Sequence, residues 1–250
     1  RRTVPIELVA MHQPRGGVAE AFRTIRTGLA FTLPGSGPSA LVVTSATPGD
    51  GKSFVSVNLA FSLAQTGKRV LLVDADLRRA RLHDIFRVDP SQGVSTALTP
   101  GSSANLTGVR RTGCPTLDVM PAGPLPPNPA ELLGGPAFEV LLQEALRQYD
   151  WVVFDAPPLT AVADPSILLA HVPHAIFVVR PFATLKGAAQ RARELLEKTP
   201  GRVAGIVLNT ADVPQGQTRD YSYGGYDYRY QPDKRDREPT SSRSDPAIPT

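Results

Sequence analysis

The segment that most restricts how this chain can fold runs Leu41-Val42-Val43-Thr44-Ser45-Ala46-Thr47-Pro48-Gly49-Asp50-Gly51-Lys52-Ser53. It opens as a buried strand of apolar and β-branched residues, passes two glycines, and enters a helix-forming stretch from Ser53 to about Gln65. Gly67 then stands where a helix C-cap glycine is expected. A glycine-rich turn between a strand and a helix directs backbone N–H groups at one point, the arrangement that binds phosphate oxygens. Residues 46–53 match the P-loop pattern, with Ala46 in place of the first glycine. In that pattern Lys52 reaches the β- and γ-phosphates of a nucleotide and the Ser53 hydroxyl ligates Mg²⁺. A tight turn that merely contains Gly-Lys-Ser is the plainer reading, and the flanking strand and helix weigh against it.

The rest of the chain repeats the strand and helix alternation. Residues 1–17 read as an extended, proline-containing lead-in. From Val18 to about Phe31, Phe22, Ile25 and Leu29 recur at helical spacing. Strands are expected at 69–73, 117–120, 151–154, 175–179 and 203–208, and helices at 138–148 and 185–198. The serine-, glycine- and proline-rich stretch 89–115 reads as short helical pieces and mobile loops. Nearly continuous apolar strands alternating with helices imply a mostly parallel sheet covered on both faces, an α/β fold. Residues 18–211 form the expected domain. Beyond Asp212 aliphatic residues almost vanish, so 212–250 is expected to be a disordered, tyrosine-rich tail.

Bulk composition narrows the function classes. The 27 basic and 23 acidic residues leave a formal charge of +4 spread along the chain, which does not imply a nucleic-acid partner. A lone cysteine, Cys114, excludes an internal disulfide and fits a reducing compartment. No apolar run approaches the roughly 20 residues that span a bilayer. The chain begins Arg1-Arg2-Thr3 without methionine, as expected of a piece cut from a longer protein with upstream membrane segments.

Two carboxylate motifs follow expected strands, where ligands of open α/β sheets bind. They are Val70-Leu71-Leu72-Val73-Asp74-Ala75-Asp76-Leu77-Arg78 and Trp151-Val152-Val153-Phe154-Asp155-Ala156-Pro157-Pro158. Taken singly, an aspartate after a strand is usually a turn or capping residue. Beside a P-loop, the pair suits a hard cation that takes one or two carboxylates together with phosphate oxygens and water. Together the three motifs resemble those of the bacterial tyrosine kinases, a family built on the P-loop NTPase fold. The resemblance extends from Val4 to about Tyr230 and includes Pro126-Pro127-Asn128-Pro129-Ala130-Glu131-Leu132-Leu133. It departs at Ala46 and at Asp50, where glutamate is common.

The resemblance implies ATP and Mg²⁺ as cofactors. Lys52, Asp74, Asp76 and Asp155 become the expected catalytic residues, with Ser53, Asp74 and Asp155 around the metal. Either Asp74 or Asp76 would orient or deprotonate the tyrosine. Pro48, Gly49, Asp50, Gly51, Lys52, Ser53, Phe54, Arg78 and Asn209 would line the nucleotide, Asn209 as an adenine contact. For Asn209 a strand-ending turn residue is an equally good reading.

Five of the six tyrosines, Tyr221, Tyr223, Tyr226, Tyr228 and Tyr230, fall within ten residues among glycines and charges. By resemblance this cluster is the autophosphorylation site; a packed aromatic strand is the alternative. Full modification would add about −8 to −10 charges. Glu20, Arg23 and Arg26 lie at one-turn spacing on the first long helix, which from spacing alone reads as a solvated, salt-bridged face. The resemblance instead places them at the subunit contact of a ring, an octamer in the family, where one subunit's tail enters the next subunit's site. It further implies a transmembrane activator segment, fused or separate, a cognate tyrosine phosphatase, a location at the inner face of the cell membrane and a role in polysaccharide export. Two rivals remain. A positioning or partition ATPase would carry a signature lysine where Thr47 stands, and a non-enzymatic export scaffold would not need Lys52, Ser53 and three aspartates.

Overall fold

The computed structural model describes residues 4–33 and 37–209. Seven strands form one sheet: β1 (Ser39–Ser45), β2 (Val70–Asp74), β3 (Arg110–Arg111), β4 (Leu117–Met120), β5 (Trp151–Asp155), β6 (His174–Val179) and β7 (Arg202–Leu208). Their order is β3-β4-β2-β5-β1-β6-β7. All neighbours are parallel except β3, which pairs antiparallel with β4. The helices are α1 (Val9–His12), α2 (Gly17–Thr32), α3 (Lys52–Ala64), α4 (Leu82–Phe86), α5 (Val94–Leu98), α6 (Pro129–Leu133), α7 (Pro136–Gln148), α8 (Asp164–His171) and α9 (Lys186–Glu197).

The central strands are buried on both faces, which is why their apolar runs are continuous. Alternate residues feed two separate cores. Leu41, Val43, Leu72, Val153 and Ile176 pack under α2, α3 and α4. Val42, Leu71, Val73, Phe154 and Phe177 pack under α5 to α9 on the other face, with Phe138 of α7 and Leu168 of α8 wholly buried there. Helix α3 has every residue from Val55 to Ala64 buried, the position of a helix that carries a phosphate loop into the centre of a domain. The expected strands and the long helices α2, α3, α7 and α9 are present within one or two residues of their sequence positions. In the stretch 89–115 the structure has one helix, α5, and the two-residue strand β3, which lacks any strand-like sequence pattern.

One expectation is overturned. Residues 1–17 are not an extended lead-in where they are described. Ile6–Leu8 form a 3₁₀ turn that runs into α1. Asn58 of α3, almost fully buried, holds this segment. Its side-chain amide donates to Glu7 O at 2.9 Å, and its Oδ1 accepts the Ala10 N–H at 3.0 Å. A buried amide satisfied by two backbone groups is a strong local constraint, and the contact spans about fifty residues of sequence. Among the described residues no helix is long and apolar enough to cross a membrane. The expected tail, 212–250, lies outside the described residues.

Candidate active site

The loop between β1 and α3 has the backbone its glycines predict. Gly49 and Gly51 have φ of 87° and 90°, the left-handed region that side chains with a Cβ rarely adopt. At Gly51 there is also no room, since a Cβ would sit 1.9 Å from Asn209 Nδ2. That amide donates to Asp50 O at 3.0 Å, so Asn209, the residue after β7, buttresses the loop from behind.

Asp50 points away from the phosphate side and is 2% exposed. Its carboxylate accepts the Thr47 N–H at 2.8 Å, the Thr47 hydroxyl at 3.0 Å and the Thr184 hydroxyl at 2.8 Å. Thr184 Oγ1 in turn accepts the Arg180 N–H at 2.9 Å. A buried carboxylate with three donors is well compensated, and it ties the phosphate loop to the β6–α9 connection.

Asp74 and Asp155 end adjacent strands in direct register, so two carboxylates stand side by side at the C-terminal edge of the sheet. Both are buried. Asp74 Oδ2 accepts the N–H groups of Arg81 and Leu82 at 3.0 and 2.9 Å, leaving Oδ1 with only a 3.3 Å contact from the Asp76 N–H. Burial, and then the charge of Asp155, pushes the Asp74 carboxyl up to about 8. Burial pushes Asp155 up to about 6, while bonds from Ser53 and Ser56 and the charge of Lys52 oppose the shift. The Ser56 hydroxyl donates to Asp155 at 2.9 Å.

These surroundings fit a divalent cation: two buried carboxylates with raised pKa, next to the hydroxyl of Ser53 at the start of α3. No group of three or more His, Cys, Asp or Glu residues converges among the described residues. A Mg²⁺ held here would therefore draw on Ser53, Asp155, Asp74 and the oxygens of a bound nucleotide.

Asp76 occupies a different setting. Its Oδ1 accepts the Arg78 and Arg79 N–H groups, folding residues 76–79 into a tight turn that faces the phosphate loop across a cleft of about 560 Å³. The cleft is lined on one wall by Pro48, Gly49, Gly51, Lys52, Ser53 and Phe54, and on the other by Asp76, Arg78, Arg79, Arg81 and Glu7. Pro157, Pro158, Ala161 and Val162 line it as well.

Of the residues expected at the site, then, Lys52, Ser53, Phe54, Asp76 and Arg78 meet at the cleft, with Asp74 and Asp155 behind it. Asp50, expected to line the nucleotide, is not among the cleft-lining residues, because its carboxylate is turned inward to Thr47 and Thr184, and Asn209 packs against Gly51. Glu20, Arg23 and Arg26 lie on α2. Arg23 pairs with Glu20 at 2.5 Å and also donates to Pro14 O, while Arg26 donates to Ser62 O at 2.6 Å on α3. The five clustered tyrosines fall outside the described residues.

The Arg78 guanidinium is spoken for. It grips Asp164 through two bonds, of 2.8 and 3.1 Å, and Asp164 is wholly buried at the first turn of α8. Sequence reading passes over Asp164, because Ala163-Asp164-Pro165 looks like an ordinary helix start. The signal that would have exposed it is the need of a motif arginine for a counter-charge. Glu7, Arg79 and Arg81 were likewise passed over.

The sheet order, the phosphate loop and the strand-end carboxylates define a nucleotide-binding P-loop NTPase of the ParA type. A family model described as "ParA: NUBPL iron-transfer P-loop NTPase" matches residues 38–224. Tyrosine-protein kinase YwqD of Bacillus subtilis is 37% identical over 218 residues, spanning 87% of this chain and 91% of that protein. The kinase domain of Escherichia coli tyrosine kinase ETK superposes with a TM-score of 0.77 at 34% identity, over 84% of this chain and 82% of that one. The chain belongs to the bacterial tyrosine kinase family. Some relatives are much longer: against the putative tyrosine-protein kinase EpsB of Ralstonia solanacearum, 39% identical over 223 residues, the match covers only 29% of that protein.

Proposed function

We propose that this chain is an ATP- and Mg²⁺-dependent protein tyrosine kinase whose substrates include its own tyrosines, Tyr221 to Tyr230. The observation that supports this most directly is the facing of Lys52 and Ser53 by Asp76 across one cleft, with Asp74 and Asp155 paired behind them. Phosphoryl transfer asks a protein mainly to position groups and to neutralise charge. Lys52 and the amides of the Gly49–Gly51 turn would neutralise the terminal phosphates. Ser53, Asp155 and Asp74 would hold Mg²⁺, which would supply positive charge to offset that of the phosphates. Asp76 lines the cleft whereas Asp74 is buried and bonded to two backbone amides, so Asp76 is the group that accepts the hydrogen bond of an incoming tyrosine hydroxyl and orients it.

The tyrosine cluster would be delivered in trans by a neighbouring copy in a ring, an octamer by family likeness, with α2 at the contact. In this isolated chain Arg26 and Arg23 are engaged internally, so assembly at Glu20, Arg23 and Arg26 would exchange existing bonds for new ones. Phosphorylated tails, carrying about −8 to −10 extra charges, would oppose that packing. A transmembrane activator, an opposing phosphatase and a place at the inner membrane face in polysaccharide export complete the proposal. The test is incubation of phosphatase-treated protein with Mg²⁺ and ATP beside a Lys52→Met control, with phosphate mapped by mass spectrometry. Phosphotyrosine at 221–230 in the parent alone is expected. ADP formation without phosphotyrosine, even with membrane activator segments added, would favour a positioning ATPase.

A further inference from the structure

The wall of the cleft opposite the phosphate loop carries three arginines, not all of which are neutralised. Arg78, Arg79 and Arg81 all line it, within four positions of sequence and just after Asp76. Arg78 is neutralised by the buried Asp164. Arg81, with a side chain 61% exposed, is held at its Nη2 by Glu7 at 3.2 Å. Glu7 is itself 9% exposed and pinned through its carbonyl by Asn58, so the N-terminal turn fixes where Arg81 stands. The guanidinium of Arg79 has no hydrogen-bond or ion-pair partner among the described residues.

We infer that Arg79 and Arg81 form an acceptor subsite that takes a carboxylate next to the tyrosine being phosphorylated. This rests on the kinase reading above and adds to it a rule for which tyrosine reacts first. The phosphate side already has Lys52, Ser53 and the loop amides. Arg79 and Arg81 follow Asp76, the group that meets the tyrosine hydroxyl, by three and five positions. Neighbouring residues of an extended acceptor peptide are about 3.8 Å apart, so a side chain flanking the tyrosine falls within arginine reach.

The chain's own cluster is graded in this respect. Tyr221 follows Asp220 and Tyr226 precedes Asp227, each with no basic neighbour; Tyr223 lies between Ser222 and Gly224; Tyr228 has Asp227 and Arg229 on its two sides; Tyr230 follows Arg229. Tyr221 and Tyr226 are the preferred acceptors and Tyr230 the poorest.

The experiment uses a catalytic amount of the full chain acting on full chain inactivated by Lys52→Met, with initial rates resolved for each tyrosine by mass spectrometry. Tyr221 and Tyr226 should lead Tyr230 by about three- to tenfold, the scale of one partly solvated charge pair. In the acceptor chain, Asp220→Asn should slow Tyr221 alone and Asp227→Asn should slow Tyr226. In the enzyme, Arg79→Ala with Arg81→Ala should level the rates while leaving KM for ATP unchanged, and the corresponding Lys pair should restore part of the order. Equal slowing of all five tyrosines with a raised KM for ATP would place the arginines on the nucleotide and overturn the subsite. An order that survives both the arginine and the aspartate changes would do the same. Absence of phosphotyrosine in every arm, with ATP still bound, would instead remove the kinase reading and the subsite with it.

Discussion

The two walls of the cleft are built in opposite ways. The phosphate-loop wall is shaped by backbone: two glycines at positive φ, the first turn of α3, and side chains that hold the loop from behind, Asp50, Thr184 and Asn209. The wall at residues 76–81 presents side chains: one carboxylate and three arginines, anchored by Asp164 and Glu7. A phosphate chain is the same in every turnover and suits a rigid cradle. An acceptor peptide varies, and suits exposed side chains whose positions are set by ion pairs.

This contrast can be broken most sharply at Lys52. Lys52→Met should reduce phosphorylation by about a thousandfold or more, the scale for losing a charge aimed at the transition state, with an unchanged circular dichroism spectrum and melting temperature. Next in size is Asp50→Ala, which strands the partly buried Thr47 and Thr184 donors. A loss of about 2–3 kcal/mol in denaturant unfolding is expected, together with a raised KM for ATP. An unchanged KM would mean that the cradle does not depend on its rear supports.

Asp164→Asn removes the negative partner of Arg78. Because that guanidinium is 41% exposed, water compensates it in part, and the loss should be nearer 1–2 kcal/mol than the several expected of a fully buried pair. Phosphorylation should fall with it as the turn bearing Asp76 loosens. A stable protein with full activity would show that the turn holds itself.

A pH-dependent effect follows from the paired carboxylates. Asp74 and Asp155 bind protons more tightly folded than unfolded, with folded pKa of about 8 and about 6 against an ordinary value of 3.8. Between those limits the native state holds more protons, so stability of the nucleotide-free protein should fall as pH rises from about 5 to 8. Thermal melts across that range, in the presence of a chelator, should show a Tm decline of several degrees, and Asp74→Asn should flatten it. A Tm that rose instead would mean the two carboxylates are compensated. The smallest change is expected of Arg79→Ala, whose stability should lie within about 0.5 kcal/mol of the parent.

Much of this was legible in sequence because it depends on near neighbours. The glycines of the phosphate loop, the apolar strand runs and the aspartates that end β2 and β5 are short-range patterns with short-range causes. Asp164 was not legible, since its partner Arg78 is 86 residues away. The helical lead-in was missed for the same reason: a proline-bearing segment has little helical preference of its own, and Asn58 supplies the contacts that hold it. Asp50 reads in sequence as a residue lining the nucleotide, and only the structure turns its side chain inward, onto Thr47 and Thr184. Arg79 and Arg81 look like solvated charge until the turn at Asp76 brings them to the cleft.

The sequence by itself therefore determined the α/β alternation, the phosphate loop and its strand-end carboxylates, because sterics and hydrophobic periodicity act within a few residues. Tertiary structure alone decided which strands lie side by side, that Asp74 and Asp155 stand in register, and which charges are paired and which are left facing the cleft. Those are long-range pairings, and they become determinate only once the packed core brings distant residues into contact and excludes the water that would otherwise satisfy them.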